Sequence, residues 1–140
     1  MGFIIEEDCK PNVAEKDIVC YKALFKTNDG RYYSMLQYYY EIGKLYFVNS
    51  KDFNCSHKRG YEIGRGFHSF INKPDPSDYS QLRAGEFGDV LLKCVIPKGA
   101  IYFRNNVENH CISNAIRLVK EIRPIKSRWS YFFIIHESSR

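Results

Sequence analysis

The chain has 140 residues, 44% hydrophobic and 26% charged, with a net charge of +5. This is ordinary composition for one globular domain with a real core, and no apolar run approaches the roughly 20 residues of a membrane helix. Five cysteines at irregular spacing include no Cys-x-x-Cys pair, which excludes zinc-ribbon and thioredoxin motifs.

Residues 1–17 are polar and acidic, hold Pro11 and Asn12, and are expected to be a loosely packed N-terminal arm of a single domain spanning 1–140. The acidic opening argues against a signal peptide. Residues 18–26 read as a strand, with Val19, Tyr21, Ala23 and Phe25 on one side. Asp29-Gly30 supplies the positive φ of a hairpin turn. Residues 31–40, with five tyrosines, read as one strand covered on both faces, and 45–48 as extended chain. Polar residues 49–60 read as a surface loop.

Gly64-Arg65-Gly66 leads into a short alternating strand, Phe67-His68-Ser69-Phe70. The long stretch 72–89, with two prolines and two glycines, has the length of a binding loop, and 79–84 is read as a helical turn capped by Ser77. Three strands follow from Val90 onward. The first two are joined at Pro97-Lys98-Gly99, and the third places Ile116, Leu118 and Ile122 on one parity. Pro124 ends it. Residues 129–136 read as a final apolar strand. The fold class expected is α+β, β-rich, with a mostly antiparallel twisted sheet and little helix.

An aromatic share of 16% adds stacking surface to this scaffold. Basic residues concentrate in 51–73 and 117–128, a distribution that attracts phosphates where it forms a patch. His68 stands at a strand end before the long loop, where an imidazole binds phosphate or exchanges protons near neutral pH. Ser69 lacks a Gly-x-Ser-x-Gly elbow and is therefore placed among ligand contacts. Gly64-Arg65-Gly66 lacks a third glycine and a Lys-Ser/Thr ending, so neither the dinucleotide nor the P-loop fingerprint is present. Cys55 and His57 have no second ligand pair nearby, and His110 and Cys111 are adjacent, so no metal site is expected. Cys20 and Cys94 read as small hydrophobes.

The order Gly66-Phe67-His68, then Ile96-Pro97-Lys98-Gly99-Ala100-Ile101-Tyr102, then Ser113-Asn114-Ala115-Ile116-Arg117-Leu118-Val119-Lys120-Glu121-Ile122 resembles small proteins of bacteriophages and gut bacteria. That resemblance implies a compact β-rich domain in a phage or bacterial setting. The chain is also distantly similar to the ADP-ribosyltransferase fold, in which an Ile-Pro-Lys-Gly strand turn precedes the strand bearing the catalytic glutamate. Residues 109–116 hold no Glu-x-Glu, and Glu108 and Glu121 are the nearest acids. The similarity therefore implies the fold without the carboxylate that transfer needs.

The sequence thus suggests a non-catalytic, cytoplasmic binding protein for an anionic, nucleotide-like ligand, and the phage resemblance implies one that sequesters host defence signals. Arg65, His68, Lys98 and Arg104 are the expected phosphate contacts, with Ser69 beside them and Tyr102 for stacking. No cofactor, metal, membrane or nucleic-acid partner is expected, and a homo-oligomer is left open. A divergent ADP-ribosyltransferase and a protein-interaction module acting through a sheet edge are the alternatives.

Overall fold

A computed structural model describes residues 3–4, 11–34, 38–49, 53, 55–56, 62–63, 65–74, 88–105 and 109–125. The expected helical turn at 79–84 and the expected strand at 129–136 lie outside them. The described part is all strand and turn, every pairing is antiparallel, and no helix occurs there, let alone one long and apolar enough to cross a membrane.

Strands β1 (Phe3–Ile4), β7 (Cys55–Ser56) and β8 (Glu62–Ile63) make a small sheet in the order β1-β8-β7. The main sheet contains β2 (Asn12–Val13), β3 (Ile18–Lys26), β6 (Leu45–Phe47), β9 (Phe67–Phe70), β10 (Val90–Ile96), β11 (Ile101–Asn105), β12 (His110–Ser113) and β13 (Ala115–Pro124). Their order is β2-β11-β12-β9-β3-β10-β13-β6, an open path. A side hairpin of β4 (Tyr32–Tyr33) and β5 (Tyr39–Tyr40) pairs onto the end of β3. The stretch 31–40 is thus two short strands, because Tyr32 pairs back on Tyr40 and Tyr33 on Tyr39. Within the expected arm, Asn12 and Val13 pair with β11 and Ala14 is buried, so this end of the arm is stitched to the sheet.

The sheet folds over one core. Strands β12 and β13 are consecutive in sequence yet sit on opposite halves of the path, separated by β9, β3 and β10. Asn114 makes the corner between them. Its backbone N–H donates to the Ile101 carbonyl (3.0 Å), its carbonyl accepts from Val48 N (2.7 Å), and its side-chain Oδ1 accepts from Ile101 N (2.8 Å). At the other corner β9 meets β3 through a single paired position, Tyr21 with Phe70. Leu24, Leu92, Ile96, Ile116 and Leu118 from β3, β10 and β13 are essentially fully buried on the inner side, where Phe67 of β9 and Cys111 of β12 join the same cluster. Each such side chain contributes about 1.5–3 kcal/mol.

Turn chemistry works as expected at Pro97-Lys98-Gly99, where Ala100 N donates to the Pro97 carbonyl and Gly99 takes φ +89°. Strand β3 alternates as expected, but its better-buried face is Cys20, Lys22 and Leu24, while Val19 is exposed. Both faces of this strand are covered, the second by Leu91, Ile122 and Ile125. The β10–β13 ladder steps over Val119 and over Ile122, two β-bulges. They move Ile122 out of the parity of Ile116 and Leu118 and into that outer cluster. Glu121 then meets Lys26 Nζ at 2.7 Å and accepts a hydrogen bond from the Tyr32 hydroxyl.

Candidate functional site

Strands β9, β11 and β12 lie side by side, with Ser69 opposite Cys111, Cys111 opposite Arg104, and Ser113 opposite Tyr102. Alternation puts Ser69, Cys111, Ser113, Tyr102 and Arg104 on one face of these three strands and His68, His110 and Ile112 on the other. The six predicted ligand contacts are therefore divided. Ser69, Tyr102 and Arg104 come together on the inner side, His68 turns away from them, and Lys98 sits in the turn before β11, its backbone N–H bonded to Asp17 Oδ1 (2.8 Å). Arg65 is exposed ahead of β9.

Tyr102 and Arg104 line a small cavity of about 70 Å³ whose other walls include Cys20, Cys111, Ile18 and Ile96. The Arg104 guanidinium stands over the Tyr102 ring at 5.7 Å and is exposed to solvent. Arginine on an aromatic face keeps its N–H donors in a fixed fork suited to an anion.

On the same face of β3 as Cys20 lies a polar cluster that strand patterning alone did not reveal. Lys22 is only 7% exposed, its ammonium donating to the His68 carbonyl and lying 5.6 Å from the centre of the Tyr40 ring. Burial pulls its pKa below the ordinary lysine value, and the nearby Cys94 and Cys20 oppose that. The one available sign was a lysine in the middle of an apolar strand, on the parity opposite Val19 and Tyr21.

Cys20 and Cys94 oppose each other across β3 and β10. The neighbouring Cys94 thiol lowers the Cys20 thiol below its usual range against burial, helped by Ser69 and by the charge of Lys22. Cys94 moves the other way, raised by that same contact and by burial. Cys111 is pushed up to about 12, first by burial and then by Cys20. The Ser69 hydroxyl is buried with no conventional hydrogen-bond partner; the Cys20 and Cys111 sulfurs are what it approaches.

On the opposite face of β9, His68 Nδ1 and His110 Nε2 lie 3.0 Å apart with ring centres 5.0 Å apart. One ring donates its N–H to the other, an arrangement that requires at least one neutral imidazole. Burial first, then the Lys22 charge, lowers His68 to about 3 and His110 to about 4. No group of three or more His, Cys, Asp or Glu among the described residues is placed to hold a metal ion. Of the two acids near the expected transferase position, Glu121 is engaged by Lys26 and Tyr32, and Glu108 lies outside the described residues. Comparison with protein-family models, with curated proteins and with solved structures returns no match in any of the three.

Proposed function

We propose that this chain is a non-catalytic binding protein for a small anionic ligand of the nucleotide kind, with the anionic end at Arg104 and the ring outside the cavity. The observation that carries this reading is the Arg104 guanidinium stacked on Tyr102 at the wall of the cavity. A pocket that encloses a drug-sized ligand holds roughly 300–1,000 Å³. At about 70 Å³ this one admits a phosphate-sized group and leaves the ring to stack on the surface. The resemblance to phage proteins supports a setting in the cytoplasm of a bacterial host, where such binding would sequester nucleotide signals of host defence. The resemblance to ADP-ribosyltransferases then concerns the α+β fold and not the reaction.

Melting curves with a panel of mono-, di- and cyclic nucleotides test this. At least one member is expected to add about 2.7 kcal/mol at a concentration 100 times its Kd, and Arg104→Ala to abolish the gain. A flat response across the panel removes the reading.

One observation favours a second reading, a protein-interaction module. Among the described residues strand β6 ends the main sheet, and its Leu45 and Phe47 are 51% and 73% exposed, with Tyr38, Tyr39 and Ile42 also exposed. An open apolar edge pairs readily with another copy of itself. Light scattering is expected to show a dimer that Phe47→Asp returns to monomer; a wild-type chain that stays monomeric at every concentration removes this reading.

A further inference from the structure

Three thiols and an ammonium converge on the inner face, and anion binding uses none of them. Directly opposed residues of an antiparallel pair have Cα atoms about 4.5–5.5 Å apart, inside the span of a disulfide, and Cys20 and Cys94 are such a pair. Cys20 lines the cavity and Cys94 does not, so an agent entering the cavity meets Cys20 before Cys94. The cavity has room for a few molecules the size of water. Its wall reaches the surface at Val19 and Arg104, both exposed. Ser69 points a buried hydroxyl with no conventional partner toward the Cys20 and Cys111 sulfurs.

We propose that Cys20 is a modification site for small hydroperoxides, which reach its sulfur through the cavity, and that Cys94 then closes a Cys20–Cys94 disulfide. In the first step the Cys20 thiolate attacks the terminal peroxide oxygen and the O–O bond breaks. Sulfur is oxidised by two electrons to the sulfenic acid, and the departing alkoxide or hydroxide takes up a proton to leave as alcohol or water. In the second step the Cys94 sulfur attacks the Cys20 sulfur. The S–S bond forms as the S–O bond breaks, and hydroxide leaves as water with the Cys94 proton. One peroxide is reduced for each pair of thiols oxidised. The neighbouring Cys94 first, and then Ser69 and the Lys22 ammonium, favour the Cys20 thiolate that the first step needs, against burial. Cys111 shares the cavity but keeps its proton, which leaves Cys20 as the site of attack.

The test treats the full chain with hydrogen peroxide at pH 7, once folded and once in urea, followed by alkylation under denaturing conditions and peptide mapping. The folded chain is expected to lose two alkylatable thiols and about 2 Da, with a bridge joining the Cys20 and Cys94 peptides. Its rate should exceed that of the urea-unfolded chain at least about tenfold. In Cys94→Ala the sulfenic acid should persist and be trapped on Cys20 by dimedone added with urea. Cys20 oxidising no faster folded than unfolded overturns the proposal, as does a bridge from Cys20 to any other cysteine. The wild-type mapping needs no variant, so it decides the matter even where Cys94→Ala fails to fold.

Discussion

Between pH 7.5 and pH 5 the protein is expected to lose about 4 kcal/mol of folding stability, roughly 2 kcal/mol for each of two histidines. In the unfolded chain an imidazole takes up its proton near 6.5, whereas folded His68 and His110 do so only near 3 and 4. Between those values the unfolded state binds more protons, so stability falls as pH falls. The contribution is fully present above about 6.5 and has gone by about pH 3. The cause is spatial: both rings are largely withdrawn from water, each feels the Lys22 ammonium, and the 3.0 Å contact between them fails once both are charged. Carboxylates act lower. Glu121, depressed by Lys26 and Tyr32, gives up its contribution only as pH drops below about 4.5, outside this window. A domain's whole stability is about 5–15 kcal/mol, so acid unfolding near pH 5 is the visible consequence. Urea titrations at pH 7.5, 6 and 5 measure it, and the double variant His68→Phe, His110→Phe should flatten the slope. A wild-type midpoint unchanged across that range contradicts the arrangement.

Gly88→Ala is expected to cost about 3 kcal/mol or more, at the severe end for a one-carbon change. A Cβ at this position would stand 2.3 Å from Leu24 N and 2.4 Å from Leu24 O, so it meets backbone that no rotamer change can move. Neither strand can retreat cheaply. Asp89 N donates to the Leu24 carbonyl (3.0 Å), Lys26 N donates to Asp89 Oδ1 (3.2 Å), and Ile125 N donates to the Asp89 carbonyl (2.8 Å). Moving Gly88 off β3 stretches the two bonds to β3 and presses Asp89 against Ile125 on the far side, where β10 begins. The measurement is the urea midpoint at pH 7.5, with the slope unchanged; a variant within about 1 kcal/mol of wild type would show that the β3–β10 corner yields.

Period-two alternation and turn chemistry are local, so they are legible in the sequence. The spans of β3, β9, β10 and β11 and the Pro97-Lys98-Gly99 turn follow from residues within a few positions of one another. Tyr102 and Arg104 can be paired from sequence because two residues apart on a strand share a face. The same rule separates Ser69 from His68, although both are expected at one ligand.

By itself the sequence determined a strand-rich antiparallel domain and which residues of each strand share a face. Tertiary structure alone decided which face became interior, as with Cys20, Lys22 and Leu24 on β3, and it alone paired His68 with His110 and Cys20 with Cys94. The physical reason is register. Alternation leaves two orientations per strand and many offsets between distant strands, and only packing the whole core, with bulges at Val119 and Ile122 absorbing the mismatch, selects among them.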